Sequence, residues 1–217
     1  MQDDTSAYHR LELSIATNPE DPRRVLPEVS SSHRRILDVG CGGGQTLIAC
    51  DLSESVLAVG IDVDHEAIEF GRSVCPNINF VMAQGEALPF ADETFDLVLC
   101  RVALPYMHVR TALSQMSRVL TKGGDLWLTL HPFSMTLREL GTNIAALNLK
   151  AAIYRSWVLL NGIALHVTGR QARWPLQPHR YETFQTSAAI NQALRATGFT
   201  DMAVSRGRHF IVTARKT

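Results

Sequence analysis

Ile36-Leu37-Asp38-Val39-Gly40-Cys41-Gly42-Gly43-Gly44 is the stretch that decides the fold. A short, mostly apolar run passes straight into glycines, the pattern of a buried strand that ends in a tight turn. Glycines suit such a turn because the backbone can bend sharply and a ligand can approach with no Cβ in the way. A helix is expected next, from Thr46 to Leu52, and free N–H groups at its start would favour a polar or anionic ligand group. The spacing is Gly-x-Gly-x-Gly, because Gln45 follows Gly44, and this differs from the Gly-x-Gly-x-x-Gly of a dinucleotide site. An acid, Asp38, precedes the first glycine by two positions.

Working outward, strand and helix patterns alternate. Val56 to Ile61 reads as a second buried strand, and Asp64 can cap a helix that runs to about Val74. Asn79 to Ala83 and Phe95 to Cys100 read as a third and a fourth strand. Ala112, Leu113, Met116, Val119 and Leu120 form the stripe of an amphipathic helix, stopped by Lys122-Gly123-Gly124, and Asp125 to Leu130 is a fifth strand. Residues 132–185 break the rhythm and read as an insertion over the strand ends, with a helical candidate from Ile144 to Leu160. Alternation resumes with a helix from Ser187 to Thr197. A closing hairpin follows, formed by Met202 to Ser205 and His209 to Thr213 and turning at Arg206-Gly207. Upstream, residues 1–32 form a polar lead in which Pro19, Pro22 and Pro27 bound short helical candidates, and Ser30 to Ser32 read as a loop.

The expectation is one α/β domain over residues 1–217: a doubly wound, mostly parallel sheet with a helical insertion after the fifth strand. Such sheets bind ligands at the carboxyl ends of the strands, where strand order reverses.

Composition narrows the class. An apolar fraction of 46% and a charged fraction of 19% are those of a globular chain. Lys+Arg and Asp+Glu are equal at 21 each, so there is no overall positive field to hold nucleic acid, and none is expected as a partner. The most apolar late stretch, Trp157 to Val167, is too short to span a bilayer. The acidic start Met1-Gln2-Asp3-Asp4 does not read as a signal peptide, and the expected location is cytoplasmic. Cys41, Cys50, Cys75 and Cys100 show neither Cys-x-x-Cys pairing nor a nearby His pattern, so reduced thiols and no metal are expected.

Asp62 ends the second strand, where a carboxylate can accept both hydroxyls of a ribose; its alternative role as a helix cap is already filled by Asp64. With these motifs, Asp38-x-Gly40-x-Gly42-x-Gly44, Gly60-Ile61-Asp62, Glu86-Ala87-Leu88-Pro89-Phe90, Phe95-Asp96-Leu97-Val98 and Arg118-Val119-Leu120 before Gly123-Gly124, the chain resembles the class I S-adenosylmethionine (SAM)-dependent methyltransferases. The likeness is greatest to the broad small-molecule group that includes ubiquinone/menaquinone-type and sterol-type enzymes, and it covers residues 34 to 131.

The resemblance implies a Rossmann-like methyltransferase fold of seven strands, the last antiparallel, with SAM as cofactor and a small molecule as acceptor. It implies that Asp38, Gly40, Cys41 and Gly42 border the methionine part of SAM, that Asp62 and its neighbour Val63 meet the ribose, and that Gln84, Gly85 and Glu86 lie along the adenine. It also implies that Arg101 begins the loop beside the sulfonium. Relatives typically carry Asp at the position of Gln84; an amide still accepts a hydrogen bond but loses the charge-assisted component.

An activated methyl needs mainly an aligned acceptor, and a base only if the acceptor arrives protonated. His131, directly after the fifth strand, and His108, after the fourth, are the candidate bases; each also has a plain reading, as a strand end and a solvent-facing loop residue. Arg101 can pair with the SAM carboxylate or an acidic substrate, or form an internal salt bridge with Glu86. Tyr106, Trp157 and Trp174 are candidates for the acceptor pocket, Trp157 and Trp174 equally for the core of the lid, and Tyr8 for a cover on the cofactor. The main alternative function is a non-catalytic SAM-binding or regulatory module of the same fold. A nicotinamide-dependent oxidoreductase is disfavoured by the glycine spacing. The oligomeric state has no signature in the sequence.

Overall fold

Strands β1 (Arg35–Val39) and β2 (Leu57–Asp62) are almost continuously apolar because both faces of the sheet are covered. The pleat sends Leu37 and Val39 to one layer of the core and Ile36 to the other. The computed structural model describes residues 2–177 and 181–217. The other elements are α1 (Gln2–Thr17), α2 (Gln45–Ala49), α3 (His65–Val74), β3 (Asn79–Met82), β4 (Phe95–Arg101), α4 (Val109–Val119), β5 (Leu120–Leu130), α5 (Phe133–Ala145), α6 (Leu149–Thr168), α7 (Ser187–Ala196), β6 (Phe199–Arg206) and β7 (Phe210–Lys216).

The sheet has seven strands in the order β3-β2-β1-β4-β5-β7-β6. β1 to β5 are parallel, and β7 runs antiparallel between β5 and β6. Chain order therefore reverses between β1 and β4, and the carboxyl ends of these two strands open the crevice of a doubly wound fold. One core layer packs Leu113 and Met116 of α4 and Ile190 and Leu194 of α7 against the sheet; the other holds Leu47 of α2 and Ile68 of α3.

Several elements differ from the sequence reading. β5 begins at Leu120, not Asp125, so Lys122-Gly123-Gly124 lies within the strand and does not stop a helix. Residues 2–17 form one helix, where the sequence suggests several short ones; the prolines that suggest breaks all lie beyond its end. The candidate helix from Ile144 to Leu160 is two helices. The chain breaks at Leu147, whose φ is 54°, and Asn148 caps α6 by accepting from the Ala151 N–H at 3.2 Å. The helix after the glycine loop ends at Ala49, three residues short of its expected end. Asp64 caps α3 as expected, accepting from the N–H groups of Glu66 (2.9 Å) and Ala67 (3.4 Å).

One carboxylate reinforces the ladder between β1 and β4. Asp96 accepts from the backbone N–H groups of both Arg34 and Arg35 at 2.9–3.1 Å, locking the entry to β1 onto β4. Asp96→Ala leaves two strand-edge donors without this acceptor and should cost about 1–3 kcal/mol, read as a shift in the midpoint of chemical denaturation. An unchanged midpoint would show that water replaces the carboxylate without loss.

Candidate functional site

The glycine loop is shaped by bonds to its own protein. Gly40 and Cys41 both donate to the Ile61 carbonyl (2.8 and 2.9 Å), Gly42 donates to Asp62 Oδ2 (2.8 Å), and Gly44 donates to the Cys41 carbonyl (2.9 Å). These four N–H groups are thus engaged. What the loop offers a ligand at these positions is clearance. At Gly40, with φ +73°, a Cβ would lie 2.2 Å from the Ala103 Cβ, so only glycine lets β1 and the chain after β4 come this close. At Gly44, φ +80°, a Cβ would lie 2.6 Å from the Phe80 ring.

Two connected cavities lie along this loop. One, of about 690 Å³, is lined by Asp62, Val63, Gln84, Gly85, Glu86 and Met107 among others. The smaller, of about 230 Å³, is lined by Cys41, Gly42, Gln45, Thr46, Arg101 and residues of α1. Gly40, Asp62, Ala103 and Tyr106 border both. Asp62 stands at the junction, its oxygens accepting from Gly42 and from the Asp64 N–H (Oδ1, 3.0 Å). A carboxylate oxygen has a second lone pair, so Asp62 can still accept from a diol.

Asp38 is the most perturbed acid of the site. It is 1% exposed, and neither carboxylate oxygen has a hydrogen-bond partner. Burial raises its pKa to about 7; the Arg101 charge pulls it down and Asp62 pushes it further up. A buried carboxylate without a partner is costly and calls for a cationic or donor group to satisfy it.

Arg101 lies where the cavities meet the end of β4, but its partner is not Glu86. Its Nε donates to Thr46 Oγ1 (3.0 Å), and a terminal nitrogen pairs with Glu12 of α1 at 3.1 Å. Glu86 instead accepts from the His108 backbone N–H at 2.8 Å. After Arg101, Val102 is held at φ 55°, a left-handed conformation unusual for a β-branched residue. Its N–H donates to Thr129, both to Oγ1 (3.0 Å) and to the carbonyl (3.1 Å). This crank sends Ala103 beneath Gly40.

The candidate bases differ. His108 caps α4: its Nδ1 accepts from the Thr111 N–H (3.4 Å) and bonds Thr111 Oγ1 (2.7 Å). His131 is partly buried, with its ring edge-on to Tyr106 at 5.5 Å. Burial lowers its pKa, Glu182 opposes this and Arg155 reinforces it, which favours the neutral imidazole. Tyr106 borders both cavities. Trp157 and Trp174 line neither, a correction to the pocket role weighed for them. They pack on each other (5.1 Å) and on Tyr154, whose hydroxyl bonds the buried Glu182, and they border a separate groove with Leu140, Ile144 and Leu160.

α1 supplies residues that sequence reasoning missed. His9 Nδ1 bonds the buried Gln45 amide at 3.2 Å and its ring stacks on Phe70 of α3. Glu12 meets Arg101, and Tyr8 lines the smaller cavity as suspected. No motif marks this helix; only its tertiary contacts reveal its place. Among the described residues, no cluster of His, Cys, Asp or Glu is arranged to hold a metal ion, and no helix is long and apolar enough to cross a membrane.

Comparison with known proteins agrees with this geometry. Residues 36–124 match the family model described as a methyltransferase domain. An O-methyltransferase (rstn1) of Aspergillus nomiae is 37% identical over 123 residues, which is 52% of this chain and 54% of the fungal protein. The uncharacterized methyltransferase YcgJ of Bacillus subtilis is 34% identical over 107 residues, 46% of this chain and 42% of that protein. The chain thus spans about half the length of these curated relatives. In fold it is similar over 98% of its length to 91% of a Thermotoga maritima protein described as a SAM-dependent methyltransferase, possible histamine N-methyltransferase, with a TM-score of 0.59 at 16% identity. Over residues 36–124 the chain is thus similar to methyltransferase domains, and its fold is that of solved SAM-dependent methyltransferases.

Proposed function

We propose that the chain binds SAM along the two connected cavities and transfers its methyl group to a small-molecule acceptor that arrives beside His131. Asp38 carries this reading. It is a buried carboxylate with no partner, close enough to Arg101, Asp62 and Cys41 for their charges or its own to be felt, and all three line the smaller cavity. SAM presents an ammonium, a ribose diol and an adenine, groups that suit Asp38, Asp62 and the Gln84–Glu86 wall in turn.

When bound, SAM supplies a methyl group already activated by its sulfonium. Asp38 holds the amino-acid end by charge, and Asp62 fixes the ribose between its bonds to Gly42 and Asp64. Gln84 is exposed at the cavity edge and offers a neutral amide to the adenine. Its position permits binding without the charge that relatives place there. Tyr106 and Ala103 keep water from the reacting centre, and His131 takes a proton from a hydroxyl or ammonium acceptor. The insertion, residues 132–185, acts in this reading as a cap, since the Thr183 N–H donates to the Pro105 carbonyl and Gln171 bonds Met107 and Val109.

Titration with S-adenosylhomocysteine, followed by radiolabelled transfer from SAM to candidate metabolites, tests the reading. Asp62→Ala should weaken binding about 10- to 100-fold, the loss of charge-assisted hydrogen bonds; wild-type affinity in this variant would remove Asp62 from the site. Binding without transfer to any acceptor would favour the non-catalytic module instead.

The pH dependence has a definite sign. Burial holds Asp38 protonated below about 7, and a cationic amino-acid end requires the carboxylate. Affinity should therefore rise toward about pH 7 by up to about tenfold per unit and level off above it. The ligand-free chain behaves oppositely: stability present at low pH is lost as pH rises through about 7. Affinity that stays flat across this range would show that Asp38 does not meet the ligand.

For the base, His131→Gln should lower kcat about 10²- to 10⁴-fold with an acceptor that arrives protonated, while S-adenosylhomocysteine affinity is unchanged. Beyond the edge-on contact of its ring with Tyr106, its fold contact runs through the backbone, whose carbonyl accepts from the Gln185 N–H, so the variant should fold. An unaltered kcat would exclude proton transfer through this ring.

A further inference from the structure

A third basin, of about 790 Å³, opens beyond Val102 at the carboxyl ends of β4 and β5. The first turn of α5 and the tip of the β6–β7 hairpin close its sides. Arg23, Arg101, Arg138, Arg206 and Arg208 line it with His131 and His209, and among the described residues no Asp or Glu does. In a chain whose charges balance to zero this is a sharp local excess.

Two of the five charges are answered from behind, Arg23 by Asp21 at 2.7 Å and Arg101 by Glu12 at 3.1 Å. Arg138, Arg206 and Arg208 have no carboxylate partner among the described residues. Arg206 lies over the Phe210 ring at 4.4 Å, and Arg208 reaches only the Pro22 carbonyl at 3.4 Å. His209 beside them has its pKa lowered by burial and then by the Arg208 charge, so it adds no cation of its own at neutral pH. Between the arginines the wall is apolar, formed by Leu130, Phe133, Met135 and Phe210.

We infer that this basin binds the acceptor, and that the acceptor is a small oxyanion, a carboxylate or phosphate on an apolar or aromatic body, held by Arg138, Arg206 and Arg208. The naming of this ligand as acceptor rests on the methyl-transfer reading; the anion site itself does not. Two observations tie the basin to the cleft. Arg101 and Val102 line both the basin and the smaller cavity. His131 lines the basin, and its ring meets Tyr106, which borders both cavities of the cleft. Guanidinium forks match the paired oxygens of such groups, and the aromatic wall takes the body. Because Arg138, Arg206 and Arg208 are exposed, binding should be modest and should weaken with salt.

The test titrates the full chain with 4-hydroxybenzoate, phenyl phosphate and, as the neutral control, phenol, at constant ionic strength. Either anion should bind about tenfold or more tightly than phenol; the tighter of the two identifies the headgroup as carboxylate or phosphate. The Arg138→Gln/Arg206→Gln double variant should lose about tenfold or more in anion affinity, with S-adenosylhomocysteine affinity and thermal midpoint unchanged. Arg138→Lys/Arg206→Lys should recover part of it. Failure of both anions to bind, equal binding of phenol, or unchanged anion affinity in the glutamine variant would overturn the inference. Anion binding lost in the glutamine variant supports the site even if S-adenosylhomocysteine fails to bind the wild type, an outcome that sinks the methyl-transfer reading alone.

Discussion

The clasp between the glycine loop and the end of β2 is the constraint on which the site depends. A single carbonyl, that of Ile61, takes both the Gly40 and the Cys41 N–H, and the next residue, Asp62, takes that of Gly42. These bonds turn the chain through a left-handed glycine and bring it within reach of Ala103 from the neighbouring strand. The cavities on either side exist because the loop is drawn toward β2 and Ala103 fills the space below. The same clasp sets Asp62 at the junction of the two cavities, so the residue that shapes the loop is also the one assigned to the ribose in the proposed reading.

Charge is distributed around this crevice with a division that overall neutrality conceals. Asp38, Asp62 and Glu86 gather on the glycine-loop side, the arginines beyond Val102. Arg101 and Glu12 form the boundary, joined at 3.1 Å, and Glu12 belongs to α1. The N-terminal helix thereby supplies the countercharge to the residue that both regions share. An acidic side and a basic side can sit close together because this pair neutralises the ground between them.

Much of the framework is legible in the residues. Ile36–Val39 and Val56–Ile61 had to be buried strands, since runs of branched apolar residues ending at glycine or Asp suit a sheet covered on both faces. Asp64 announced its helix through cap chemistry, and the α4 stripe through its period. Asn148 carried the same kind of cap signal inside an apolar run, where hydrophobicity alone suggests continuity, and the break at Leu147 lies there. What local pattern does not encode is which partner an exposed or half-buried group will find. Arg101 meets Glu12 across most of a hundred residues of chain, and Glu86 turns to a backbone N–H. Trp157 and Trp174 are aromatic and follow β5, as a pocket wall would, yet they pack on each other and on Tyr154. The glycine loop was readable as a turn, but whether its donors are open depends on the Ile61 carbonyl one strand away.

The left-handed Val102 has a consequence for how the crevice is used. A β-branched residue in that region stores about 1–3 kcal/mol of conformational strain, and here the two bonds to Thr129 hold it in place. The boundary between the glycine-loop cavities and the arginine basin is thus braced by the protein's own hydrogen bonds, and in the proposed reading that bracing sets the distance across which the two occupants meet.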